Sequence, residues 1–338
     1  MGLRDEDDTL SKARVLTIVL CETRAWQATW TSFHANIIQT LDSDLALCAS
    51  KETSKADPFH ENAKYKWLID EPNNWAEKFS SVAGNDDWKT LLEVGKGLIG
   101  ERDEESCPRL GSGAIQFFFR HLLRDHLITN GLLEQYEWFL VVRSDFVWLT
   151  PHPPLELFSG EGIAVLEGED YGGVCDRYAL IPSSLMSAYL EVAEPIFFEP
   201  EKLRGKIEAA IADGRVTGVN PESFLKMRYV TLGLWNNMAR IPYFGFAIRL
   251  PNGATRGSPG NFSHKLGYYV KYPREYTASR VIASKVKTSE DWIPLLRRGS
   301  LINWHSMMLR INLFTVFLSL KVGRFLNRLA MKVRKSGP

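Results

Sequence analysis

YEWFLVVRSDFVWLTPHP, Tyr136 to Pro153, is the stretch from which the fold is read. An apolar run, Trp138 to Val142, breaks at Arg143-Ser144-Asp145, resumes as Phe146-Val147-Trp148 and closes on Pro151-His152-Pro153-Pro154. β-Branched and aromatic content, short length and a proline stop predict a buried strand. A carboxylate where such a strand frays is costly to bury alone, so Asp145 needs a metal ion, a base or a ligand. In open α/β sheets, ligands gather outside the carboxyl ends of the strands. Asp145 is therefore the first candidate site residue.

Toward the N-terminus, Arg14 to Leu20 (RVLTIVL) predicts a first strand. The segment from Trp26 (WQATWTSFHANIIQTL) predicts a helix, and Leu45 to Ala49 a second strand. This β-α-β opening points to a doubly wound or nucleotide-binding α/β sheet. That opening carries neither GxGxxG nor GxxxxGK[ST], so it lacks both a dinucleotide fingerprint and a P-loop. Residues 51–108 are polar, with Trp67, Trp75 and Trp88 scattered among charges and prolines, and read as a long, partly helical insertion. Gly111-Ser112-Gly113 precedes a helix over Ala114 to Leu127, with Ser112 as its expected cap. Arg120, His121 and Arg124 interrupt its apolar pattern. They form a solvated face, or one arginine reaches an anionic ligand.

Toward the C-terminus, Gly162 to Leu166 reads as a strand. It leads into Glu167-Gly168-Glu169-Asp170-Tyr171-Gly172-Gly173-Val174-Cys175-Asp176-Arg177-Tyr178, and Ala179 to Ile181 follows as another strand. The intervening loop is rich in acids and glycines. It is a solvated turn or a site, since glycine lets backbone approach a ligand and loops on rigid scaffolds carry chemistry. Helices are expected over Leu185 to Phe198 and Glu201 to Asp213, and from Asn220, a cap residue followed by Pro221. Glu222 sits in that first turn, where the helix dipole favours a carboxylate with or without a function. Ile241 to Leu250 reads as a strand interrupted by Gly245, and residues 251–264 as a loop. Lys265 to Asp291, rich in Tyr, Lys and Arg, packs on the core or contacts a substrate.

The 338 residues, 45% hydrophobic, suffice for a large core. A net charge of +1 argues against dedicated nucleic-acid binding. Cys21, Cys48, Cys107 and Cys175 are far apart and form no CxxC pair, which fits a reducing cytosol better than a zinc site or a disulfide framework. Residues 1–13 read as a disordered leader, acidic and polar, unlike a signal peptide. No acid follows Asp291. From 309 to 338, Phe314, Leu318, Phe325 and Leu329 share one helical face edged by Lys321, Arg324, Arg328 and Lys332. Such a basic amphipathic helix lies on an anionic membrane surface, or docks on its own domain or a partner.

GxSxG and HExxH are absent and the histidines are dispersed. A glycoside hydrolase could use Asp145 with Asp170 or Glu169. Transfer from a nucleotide-activated sugar fits better. It needs a carboxylate at a central strand end, cations for the leaving phosphates, and a second carboxylate to deprotonate the acceptor hydroxyl.

The segments ETRAW after the first strand, GSGAIQFFFR, VVRSDF followed by PHP, and GEDYGGVCDRY resemble the GT-A type glycosyltransferases of surface-polysaccharide synthesis, over roughly residues 14–250. The resemblance implies an α/β nucleotide-binding sandwich with a central mixed, mainly parallel sheet over 14–260. An extension over 261–308 would follow it. In that family an Asp-X-Asp motif at a strand end holds the metal and the sugar nucleotide; here Arg143-Ser144-Asp145 offers one carboxylate. The resemblance implies donor contacts from Thr23, Arg24, Arg143, Ser144, Asp145 and Arg177. Asp145 would hold a divalent metal, Mn or Mg, or Arg143 would itself balance phosphate charge. The implied catalytic acids are Asp170, Asp176 and Glu222. The implied partners are a nucleotide-sugar donor and a glycan or lipid-linked acceptor, at the cytoplasmic face of a membrane. A non-catalytic scaffold with the same sheet is the competing class.

Overall fold

Val15 to Leu20 are all buried, and their side chains alternate between two separate cores. That alternation is what a strand covered on both faces requires. The computed structural model describes residues 15–51, 57–94, 97–102, 107–214, 218–252 and 258–297. The expected leader and the basic helix over 309–338 lie outside them.

In chain order, β1 (Val15–Cys21) leads to α1 (Trp26–Phe33), which runs through a π turn (His34–Ile38) into α2 (Gln39–Leu41). Then come β2 (Asp44–Ser50), α3 (Pro58–Asn62), β3 (Tyr65–Ile69), α4 (Trp75–Ala83), the antiparallel pair β4 (Gly100–Arg102) and β5 (Pro108–Leu110), and α5 (Ser112–Thr129). The centre of the chain holds β6 (Trp138–Val142), β7 (Phe146–Trp148), β8 (Ile163–Leu166), β9 (Tyr178–Pro182), α6 (Ser183–Leu190), α7 (Glu194–Phe198), α8 (Pro200–Ala212) and α9 (Pro221–Thr231). It ends with β10 (Met238–Ile241), β11 (Gly245–Arg249), β12 (Asn261–Ser263), β13 (Tyr268–Val270), α10 (Pro273–Lys285) and α11 (Trp292–Arg297).

The protein is α/β, with a central mixed, mostly parallel sheet of seven strands in the order β10-β8-β9-β6-β1-β2-β3. Only β9 runs against its neighbours, β6 and β8. On one face Leu16, Ile18 and Leu20 pack with Phe117 and Phe119 of α5 and Phe224 of α9. On the other, Val15 and Val19 pack with Phe33 of α1, Phe146, Ala247 and Ile282. Each fully buried Phe or Leu contributes about 1.5–3 kcal/mol relative to exposure. A second sheet, β12-β13-β11-β7, stands beside this second core. No helix among the described residues is long and apolar enough to cross a membrane.

The opening stretch serves both sheets. β6 belongs to the first and β7 to the second, with Arg143-Ser144-Asp145 as the crossover. Ile241 to Leu250 likewise divides at Pro242-Tyr243-Phe244 into β10 and β11, one per sheet. Residues 51–108 are less of an insertion than expected. They supply the edge strand β3, pairing Trp67 with Cys48, and they bury Phe79 and Trp88 completely. The apolar pattern of β3 lasts only five residues, and flanking charges obscure it. Ser112 is not the cap of α5. It is already helical, Gly111 stands at the cap position, and no side chain caps the helix. Asn220 does cap α9, accepting from the Ser223 amide at 2.8 Å while the Ser223 hydroxyl accepts from the Asn220 amide at 3.0 Å.

Candidate active site

β1 and β6 are adjacent parallel strands, and the chain leaves them in divergent directions, β1 toward α1 and β6 toward the second sheet. A crevice at such strand ends is a natural ligand site. A cleft of about 400 Å³ lies there, lined by Cys21 at the end of β1, Glu22 and Arg24 after it, Arg143 to Asp145 after β6, and Asp176 and Arg177 before β9. The first turns of α5 and α9 close one side, and Arg249, Lys271 and Tyr272 from the second sheet close the other. Non-glycine residues in the left-handed region stand on two sides of the cleft: Cys21 (φ 81°) at the end of β1 and Ala25 (63°) before α1, and Glu169 (49°) and Tyr171 (47°) in the loop before β9. Such strain costs about 1–3 kcal/mol per residue and clusters at functional sites.

Asp145 is 1% exposed and clamped by arginines. Arg143 donates Nε to Oδ1 at 3.0 Å and Nη2 to Oδ2 at 2.7 Å, Arg249 donates Nη1 to Oδ2, and Arg24 Nε lies 3.9 Å away. Burial would raise the Asp145 carboxyl, but Arg143, Arg249 and Arg24 outweigh it and hold it well below the usual carboxylate range. Ser144 lines the cleft. Its hydroxyl donates to the Glu22 carbonyl at 2.6 Å, tying the two strand-end loops together. Among the described residues, no group of three or more His, Cys, Asp and Glu side chains gathers that could hold a metal ion.

On the helical side, Gln116 of α5 donates to Oδ2 of Asp176, and Glu222 projects from the first turn of α9. Burial, then the nearby Asp176 charge, pushes the Glu222 carboxyl up to about 7. The turn is held by the Glu222 carbonyl, which accepts from the Val174 amide at 3.2 Å. Gly173 makes that approach feasible, since a Cβ there would stand 1.8 Å from the Glu222 oxygen. On the second-sheet side, burial and then Arg249 and Arg143 push the Lys271 ammonium down to about 8. Lys271 has no carboxylate partner among the described residues and lies 5.4 Å from the Tyr272 ring centre.

Of the expected site residues, Arg24, Arg143, Ser144, Asp145, Asp176, Arg177 and Glu222 come together at the cleft. Arg177 also pairs with Glu275 at 3.0 Å, donates to Tyr243 and the Glu169 carbonyl, and lies over the Tyr272 ring. Asp170 is outside the lining. Its carboxylate accepts from the Cys175 amide at 3.1 Å and from Arg240, shaping the loop from within. Thr23 is fully buried and also outside the lining. Gln116 and Arg249 were not singled out from the sequence, and Lys271 and Tyr272 only as part of the stretch Lys265 to Asp291. Arg249 had a signal, a lone cation in the apolar run Phe246 to Leu250. Arg120 resolves against the solvated-face reading, being 2% exposed and on the cleft wall. No protein-family profile matches the chain, and no curated protein matches it.

Proposed function

We propose that this chain is a GT-A type glycosyltransferase that moves a sugar from a nucleotide-sugar donor to an acceptor hydroxyl in surface-polysaccharide synthesis. The observation that carries the reading is the cleft lined by the cations Arg24, Arg143 and Lys271 together with Glu222, a carboxyl pushed up to about 7. In this reading the cations balance the diphosphate as the bond between the sugar carbon and the phosphate oxygen breaks. Glu222 takes the proton of the acceptor hydroxyl as the new glycosidic bond forms. Burial, and then Asp176, held by Gln116, keeps Glu222 basic enough to do so. The products are a glycoside and a nucleoside diphosphate, with the proton on Glu222.

The hydrolase alternative needs Asp145 with Asp170 or Glu169. The arginine clamp on Asp145 and the Arg240 bond to Asp170 weigh against it. A passive scaffold would have no use for a partly buried acid with a raised pKa such as Glu222. Attachment at the cytoplasmic face of an anionic membrane is part of the same proposal and rests on the charge pattern of 309–338. Incubating the full chain with a panel of nucleotide sugars and following nucleoside diphosphate release tests the activity. The expected result is turnover of one donor that is lost in Glu222→Gln. Turnover of none, with a glycan cleaved without nucleotide, would establish the hydrolase instead.

A further inference from the structure

The arginine clamp has a consequence for how the donor is held. In an Asp-X-Asp site the carboxylates keep oxygen atoms free for a divalent ion at about 2.0–2.2 Å. Here Oδ1 of Asp145 accepts from Arg143 at 3.0 Å, and Oδ2 accepts from both Arg143, at 2.7 Å, and Arg249. An ion bound to Asp145 would sit against guanidinium hydrogens. It would also share the carboxylate with Arg24, 3.9 Å away. The residue two before Asp145, where a second carboxylate would assist, is Arg143 itself. The donor set therefore does not fit a divalent ion.

We infer that the diphosphate of the donor is held by Arg24, Arg143 and Lys271 without a divalent metal, and that Asp145 is a positioning residue that fixes the arginines. This rests on the glycosyltransferase reading and deepens it. The geometry divides the work. Arg249 is 3% exposed and its Nη1 is spent on Asp145 and the Ile248 carbonyl, so it serves to hold the carboxylate. Arg143 and Arg24 are partly exposed on the cleft side. Lys271 supplies a positive charge that no described carboxylate cancels. The crossover is braced by the Ser144 bonds to the Glu22 and Arg24 carbonyls, so the cations are set before a ligand arrives.

The test is calorimetric titration of the EDTA-treated full chain with UDP, GDP, CDP and dTDP, repeated with millimolar MnCl2. One nucleoside diphosphate is expected to bind with affinity that differs by less than about twofold between the two conditions, because cations of the protein replace the ion. Lys271→Gln should weaken it about ten- to a hundredfold, the range of one charge-assisted hydrogen bond. Asp145→Asn should weaken binding equally with and without Mn, since its effect passes through the arginines. Binding that appears only with Mn, or an Asp145→Asn loss confined to the Mn condition, overturns the metal-free site while leaving the glycosyltransferase reading standing. No binding of any nucleoside diphosphate in either condition overturns both.

Discussion

Glu222 and Lys271 together fix a pH profile. Glu222 must be ionised to accept a proton, and its carboxyl is pushed up to about 7. Lys271 must be protonated to face phosphate, and its ammonium is pushed down to about 8. Treated as independent, the two fractions multiply to a maximum near pH 7.5 and fall about sixfold at pH 6 and again at pH 9. The acid limb belongs to Glu222 and the alkaline limb to Lys271. Glu222→Gln should lower kcat by about a hundredfold or more and flatten the acid limb of what remains. Lys271→Arg should preserve donor affinity at pH 7 and move the alkaline limb beyond pH 9, because a guanidinium does not titrate there. The assay is nucleoside diphosphate release across pH 5.5–9.5 with donor saturating, and then limiting. A Glu222→Gln variant with full activity and an unchanged acid limb would refute the assignment of the base.

Four further outcomes follow from particular contacts. Gly173→Ala drives a Cβ into the Glu222 carbonyl, so thermal denaturation should show a loss of about 1–3 kcal/mol; kcat should fall more than donor affinity. Ser144→Ala removes the donor shared by the Glu22 and Arg24 carbonyls and should cost about 1–3 kcal/mol in urea unfolding, with weaker nucleotide binding. Asp170→Ala should lower the melting temperature, because Arg240 loses its partner, while the shape of the pH–rate profile stays that of the parent. His152 is fully buried and pushed down to about 4 by burial, donating Nδ1–H to the Pro153 carbonyl and accepting from the Tyr178 hydroxyl at 2.7 Å. Below the ordinary histidine value the unfolded chain binds the extra proton first. Its contribution is therefore present above pH 6.5 and is lost on acidification toward pH 4, about 3 kcal/mol in all. His152→Gln should remove that slope relative to the parent in urea titrations at each pH.

The sheet was legible in the sequence because its central strands bury both faces and read as unbroken apolar runs, as in Val15–Cys21 and Trp138–Val142. The edge strand β3 was not, since one short alternation among charges looks like loop. The break at Arg143-Ser144-Asp145 and the cap at Asn220 were legible for local reasons, a charge stopping an apolar run and an Asn before a Pro. The cation side of the cleft was not. Arg249, in β11, and Lys271, just after β13, lie more than a hundred residues after β6, and only the pairing of β11 with β7 and β13 brings them to Asp145. Asp170 folds back on the Cys175 amide and Arg240, which its local sequence does not reveal. An acid beside glycines carries the same local signal whether it faces substrate or folds back on its own loop.

The crossover joins the two sheets through one residue twice over. The Asp145 carbonyl accepts from the Ile248 amide at 2.9 Å, and its carboxylate accepts from Arg249 next along the same strand. Any sliding of β11 against the central sheet must break a main-chain bond and an ion pair together. The spacing of the cations is thus coupled to the shear stiffness of the molecule. The Ile248 amide should be a slow-exchanging proton whose opening rate reports that stiffness, and ligand that bridges Arg143 and Lys271 should slow it further, as a strut slows the hinge it spans.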